Sequence, residues 1–427
     1  MPELEFIRRL INTDSLTADF RGLTGCGGRL IGSASEQAAR TWLERRLSQL
    51  PGARLGSHAF EYSGWTGHGA FLELIGNGTR TALRCHPLYW STETTRQGLE
   101  ADVVDVGRGT DAEFRALAAR IRGNIALVRH EYPFSTDSIH RRVKYSCSVQ
   151  HGAAGFIITN CIPGDLLVTG SCGQDLPSNI PALGIGFETA AGLARPKPAR
   201  VRMRLATTRQ AKVGANLIAE APGQNDEWVV VCAHYDGHDL AQSAFDNATG
   251  VAAALAIFEG FSPFVSRMRR GLRLVLFTAE ESGLLGSRMY LQSIGESGRR
   301  KIGVVVNLDT LAGSPRLTCL TSDFDELDDF VARTSNEAGL ALRCFRPLLR
   351  NSDHFNFAQC GIPALRLIAG FDEPESDVRF LLTEGDTSDL VSMEELSAAT
   401  TAAGLLVWSA LDYGRPIAAH HVAPARA

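Results

Sequence analysis

Residues 228–250 read WVVVCAHYDGHDLAQSAFDNATG, and the fold follows from this stretch. The run WVVVCA has the length and β-branched content of a buried strand, and it ends on His234 with Asp236 two residues further on. Beyond Asp246 the chain becomes VAAALAIFEGF, small and apolar enough for a helix buried all round. A strand that delivers an imidazole and a carboxylate at its carboxyl end and then enters a helix belongs to a largely parallel α/β sheet, where ligands gather at that end. Nitrogen and oxygen donors of this kind suit zinc or manganese, and three protein ligands leave a position open for water. Taken singly, His234 is equally a hydrogen-bonded strand-end histidine and Asp246 a helix N-cap.

Two more apolar runs end in the same way. RLVLFTA leads to the adjacent pair Glu280 and Glu281, and VVVNLDT carries Asp309. Two carboxylates buried together are costly without a cation, and neighbouring residues point differently, so one can hold metal while the other takes a proton from water. An exposed acidic helix start is the plainer reading of the pair. Three strand ends with acids outweigh it.

Working outward, 427 residues suggest two units. Apolar residues make up 44% and charged residues 21%, as in ordinary globular proteins, and the net charge of -4 lacks the basic footprint of a nucleic-acid binder. The expected partner is a small molecule. The charged start MPELEFIRRL and the lack of an unbroken apolar span of membrane length predict a cytoplasmic protein with no membrane association. Nine cysteines without fixed spacing read as reduced, buried thiols, and Cys232 as packing rather than a nucleophile.

EQAARTWLERRLSQL after Gly27 and Gly28 predicts an amphipathic helix, and residues 1–64 an amino-terminal part of the catalytic domain. Short β-rich runs such as IALVRH and AAGFIITN mark residues 65–200 as an inserted domain, with the catalytic domain resuming over 201–414. Residues 415–427, with His420 and His421, read as a flexible tail. The fold class expected is α/β, a mostly parallel central sheet flanked by helices, with an inserted β-rich domain.

In this order, HYDGH, AFDNATG, TAEESGLLGS, NLDT and NSDHFNFAQCGIPAL resemble the motif series of the di-zinc aminopeptidase family, which has the zinc-exopeptidase fold and includes glutamate carboxypeptidase and glutaminyl cyclase. The insert resembles the protease-associated domain. The resemblance implies that His234 and Asp309 bind one metal, that Asp246 bridges to a second held by Glu281, that Glu280 is the general base and that Asp236 orients His234. His354 lies in a motif near the site, as a substrate contact or a buried hydrogen-bonded histidine.

The sequence departs from the family at one position. Where the family has a final metal-binding histidine, the stretch RFLLTEGDTSD has Leu382, although Thr383, Asp386 and Thr387 agree. One tightly held Mn²⁺ or Zn²⁺ per subunit is therefore expected. That departure favours a reaction outside the peptidases, the hydrolytic deamination of 5-nitroanthranilate to 5-nitrosalicylate and ammonia, with a cytoplasmic aminopeptidase as the alternative and an inert pseudoenzyme last. An aromatic carboxylate would need cationic contacts, for which Arg288, Arg350, Arg366 and Arg379 are the candidates. Family members with inserts often associate, so a homo-oligomer is expected.

Overall fold

In WVVVCAH, Val230 and Cys232 face one side of the strand and Val229, Val231 and Ala233 the other, and all are buried, which demands a layer on each face. The computed structural model, which describes residues 2–76, 78–173, 179–194 and 198–421, shows both layers. Trp228–His234 runs parallel to Gly271–Phe277 on one side and to Ile302–Leu308 on the other, and Ala364–Ala369 continues in parallel beside Ile302–Leu308. Leu317–Leu320 is antiparallel to Ala364–Ala369 and parallel to Arg343–Phe345. Residues 217–221 pair antiparallel with Gly271–Phe277.

The helix Thr249–Val265 packs on this sheet, with Thr13–Thr24 and Met393–Asp412 packed on it. Counted from Ala244, the helical segment Ala244–Val265 is long and apolar enough to cross a bilayer, yet 78% of its apolar window is buried in the fold, which marks it as a core helix. It begins hard against the sheet: a Cβ on Gly250 would lie 2.2 Å from the Leu308 carbonyl. In another layer, Tyr290 and Leu291 of Leu285–Ser293 and Phe357 of His354–Gln359 pack with Val230, Cys232, Phe277 and Val305.

The chain divides into two units. One comprises the residues up to Glu61, Val213–Val378 and those from Asp386 on; the other comprises Tyr62–Lys212 and the short segment Arg379–Gly385. The crossings fall within the long strands Arg54–Gly76 and Arg200–Ala221, so no loop composition marks them. The segment 379–385 lies far from the insert in sequence but joins its unit: the Thr169 N–H donates to Leu382 O at 2.8 Å, and Arg84 Nη2 to Glu384 Oε1 at 2.6 Å.

The second unit is less purely β than its sequence suggests. Leu99–Gly107, Ile125–Arg129, Gly155–Thr159 and Ala182–Ile185 form a parallel sheet, with Asp111–Ile121, Arg141–Gln150 and Phe187–Leu193 as helices. The first of these helices starts on a capping box, Thr110 with Glu113. Separate apolar clusters centred on Phe114, Tyr145 and Phe156, and on Leu127, Ile157 and Leu183, contribute to its core.

Two expectations need correction. Residues 415–421 are packed, not flexible: Ile417 and Ala418 are buried, His420 Nε2 lies 2.8 Å from Ile302 O, and the His421 ring stacks on Phe324. The remainder of the expected tail, residues 422–427, lies outside the described residues. All nine cysteines are free, but only Cys172, Cys232 and Cys319 are buried, while Cys161 and Cys344 are exposed. Burial pushes the Cys232 thiol well above its ordinary value, which leaves it protonated and a poor nucleophile.

Candidate metal centre

His234 ends its strand fully buried, and its Nδ1 lies 3.0 Å from the backbone carbonyl of Asp236. That contact makes Nδ1 the protonated nitrogen and leaves the Nε2 lone pair facing Asp246 Oδ1 at 3.0 Å and Asp309 Oδ1 at 3.7 Å. These three side chains gather their donor atoms within 4.8 Å of one another. Nε2 of His234 is buried without a hydrogen-bond partner. Burial acts to lower the pKa of this histidine, but Glu280, Asp236, Asp246 and Asp309 together drive it well upward. A buried site that holds a proton this strongly is built for a cation, and the donor set fits zinc or manganese.

Asp236 is more deeply engaged than as an orienter of His234. Its carboxylate accepts the N–H of Glu280 at 3.1 Å on Oδ1 and the N–H of Glu281 at 3.3 Å on Oδ2. It thereby ties the strand end bearing His234 to the turn bearing the two glutamates, a turn bracketed by Ala279 and Leu284 at φ 62 and 61. Burial raises the Glu280 carboxyl well above its usual range, opposed by His234 and reinforced by Glu281. Glu281, nearly buried with Oε1 unpartnered, is pushed up to about 8 by burial and by Asp246. Among the described residues Glu281 does not join the tight group of three.

Asp309 goes the other way. Burial would raise it, but the guanidinium of Arg366, with Nη2 at 3.1 Å from Oδ2, and His234 hold it well below the usual carboxylate range. Arg366 is itself fully buried and donates to Asn351 O at 2.6 Å, so it is a partner of a metal-facing carboxylate rather than the substrate contact expected from sequence. Arg288 is exposed on the helix Leu285–Ser293, Arg350 is exposed with its guanidinium 5.6 Å from the Phe355 ring, and Arg379 lies in the second unit over Phe380. His354 is buried with neither ring nitrogen paired, and burial and Arg366 lower its pKa to about 3. A hydrogen-bonded histidine is therefore not what the structure shows there.

Sequence reasoning passed over three neighbours. His238, the last residue of HYDGH, is fully buried with Nε2 3.3 Å from Asp386 Oδ2, and Asp386 Oδ1 accepts the N–H of Phe245, next to Asp246, at 2.7 Å. Asp353, beside His354, is fully buried and pushed by burial to about 7. Arg29 is a third. Only His238 carried a signal, as a second histidine in an already conspicuous motif.

Comparison with known proteins agrees with this geometry. Residues 216–405 match the model of Peptidase family M28 and residues 96–193 that of the PA domain. Over residues 216–405 the chain is similar to peptidase family M28. Aminopeptidase YwaD of Bacillus subtilis is 27% identical over 320 residues, 72% of this chain and 66% of that protein. Probable lipoprotein aminopeptidase LpqL of Mycobacterium tuberculosis is 29% identical over 254 residues, 55% and 49% of the two chains. Leucine aminopeptidase 2 of Trichophyton rubrum is 29% identical over 177 residues, 40% and 35%. The match thus spans about two thirds of the first of these relatives and half or less of the others.

Among solved structures, the zinc aminopeptidase BSAP of Bacillus subtilis covers 94% of this chain and 96% of its own at 22% identity with a TM-score of 0.76. A Peptidase M28 precursor from Shewanella amazonensis covers 99% of each chain at 22% identity with a TM-score of 0.81. At these identities the structures establish the shared fold. The match to Peptidase family M28 and the gathered donors of His234, Asp246 and Asp309 agree with a metal-dependent hydrolase acting on C–N bonds. Of the two activities expected from sequence, these comparisons support the alternative, the aminopeptidase, and nothing in them supports deamination of an aromatic amine.

Proposed function

We propose that this protein is a metal-dependent aminopeptidase that releases amino-terminal residues from peptides. The observation that carries the reading is the buried, unpartnered Nε2 of His234 facing Asp246 and Asp309 beside Glu280, in a chain whose relatives are named aminopeptidases. His234, Asp246 and Asp309 would hold the ion, which when bound acidifies a water and polarises the scissile carbonyl.

The chain's own residues do the rest. Glu280, whose carboxyl is raised above its usual range by burial, takes a proton from the attacking water as the water oxygen bonds to the carbonyl carbon. It passes that proton to the departing nitrogen as the C–N bond breaks, so the products are a free amino acid and a shortened peptide. Asp236 fixes the backbone from which Glu280 projects. Glu281, with a free buried oxygen beside Asp246, offers an acceptor for the substrate's terminal ammonium.

The test is hydrolysis of leucine p-nitroanilide and of 5-nitroanthranilate by purified protein supplied with Mn²⁺ or Zn²⁺, with Glu280→Gln as control. Release of nitroaniline by the wild type and not by the variant supports the aminopeptidase. Turnover of nitroanthranilate alone would replace it, and silence on a panel of aminoacyl anilides would remove it.

A further inference from the structure

His234 and Asp246 reach the metal centre from one stretch of chain, and the loop between them is held by a side chain from elsewhere. Arg29, fully buried, donates from Nε to Tyr235 O at 2.8 Å, from Nη1 to Gln242 O at 2.7 Å and Gly27 O at 3.2 Å, and from Nη2 to Ser243 O at 2.8 Å. Its own carbonyl accepts the N–H of Gly237 at 3.1 Å. The guanidinium therefore grips the loop one residue past His234 and again three residues before Asp246. Its charge is spent on carbonyls and not on a direct carboxylate pair; burial disfavours that charge, and Asp386, Asp236 and Asp246 offset part of this through space.

The neighbouring glycine closes the same contact. A Cβ on Gly28 would lie 2.3 Å from His238 O and 2.6 Å from Ala241 O, so no other residue lets this segment approach the loop so closely. Within the loop, Ser243, at φ 49, accepts the His238 N–H on Oγ at 2.9 Å. Asp386 takes the Gln242 N–H on its carbonyl and the Phe245 N–H on its carboxylate. A planar, permanently charged fork is suited to hold several carbonyls in fixed relation, and ligands ordered in advance bind an ion without losing that freedom on binding.

We propose that Arg29 is a positioning residue of the metal centre, fixing the loop between His234 and Asp246 so that both ligands are in place before the ion arrives. The inference rests on the metal-centre reading and is independent of which substrate the enzyme cleaves.

The test compares zinc affinity, by competition with a chromophoric chelator, for the full-length wild type, Arg29→Lys, Gly28→Ala and Arg270→Lys. Arg270 is an equally buried arginine that binds the carbonyls of Ala410, Tyr413 and Arg415, and it controls for general loss of stability. Arg29→Lys and Gly28→Ala should weaken zinc binding about 10- to 100-fold, the range for outer partners of metal ligands, with Arg270→Lys near wild type. Equal affinity in Arg29→Lys and Arg270→Lys would overturn the proposal. Hydrogen exchange on metal-free wild type decides independently of any variant's folding: slow exchange at Gly237, His238, Gln242 and Phe245 is expected, and free exchange there overturns it. A wild type that binds no zinc would instead remove the metal-centre reading, while the exchange data would still report on the loop.

Discussion

Arg366 Nη2 and Asp309 Oδ2 lie 3.1 Å apart in a fully buried contact, which leaves Asp309 Oδ1 turned toward His234 Nε2 at 3.7 Å. Arg366 thus assigns one oxygen of the carboxylate to itself and one to the metal side. Removing only the cation strands a buried charge, at a cost of about 3–5 kcal/mol. Arg366→Met should lower the urea unfolding midpoint of the metal-free protein accordingly, and a wild-type midpoint would show that the pair does not stabilise the fold.

Glu280→Gln keeps the shape of the side chain and removes its proton chemistry. The kcat on an aminoacyl anilide should fall by about 10²- to 10⁴-fold, the usual contribution of a general base. Metal content measured by atomic emission should stay at the wild-type value, because Glu280 is not among the three gathered ligands.

Stability of the metal-free protein should fall as pH rises. Asp353, pushed to about 7, and Glu281, pushed to about 8, are both raised above their unfolded values, and His234 is raised as well. Groups raised in this way contribute stability that is complete below the unfolded pKa and lost as pH climbs through the folded one. Urea midpoints should therefore drop between about pH 4 and about pH 8, and saturating zinc should reverse the trend because it replaces the protons. A metal-free midpoint that increases over this window would contradict the assignment.

Asp386→Ala would leave the Phe245 N–H and the His238 ring without their shared acceptor. Each orphaned buried group costs about 1–3 kcal/mol. Chemical denaturation should show a loss of that order, with Asp386→Asn retaining part of it.

Truncation after Gly414 removes the buried Ile417 and the His420 contact to Ile302 O. Exposing the core that Ile417 covers should cost about 2 kcal/mol, read as a lower calorimetric midpoint. An unchanged midpoint would return residues 415–421 to the status of a dispensable tail.

Of the triad, His234 and Asp309 were legible as the ends of apolar strands, while Asp246 stands before the helix Thr249–Val265 and its metal role rested on the resemblance. The fold followed from the same runs. Arg366 was misread although ALRLIAG held the clue: a lone arginine in a fully buried strand must be paired inside the protein, as it is with Asp309. Arg29 and Asp353 were out of reach, since their roles depend on partners distant in sequence. The compact units change at 61/62 and 212/213, inside continuous strands, where no loop composition marks a boundary for the insert expected at 65–200.

The short segment Arg379–Gly385 gives the insert a second foothold in the chain. Thr383 bridges Val168, and Glu384 accepts the N–H of Leu167, while two residues later Asp386 already holds His238 and Phe245. The PA-bearing unit is therefore not a cassette with one entrance and one exit. Any graft that swaps it for another must carry a matching piece of the sequence just before Asp386.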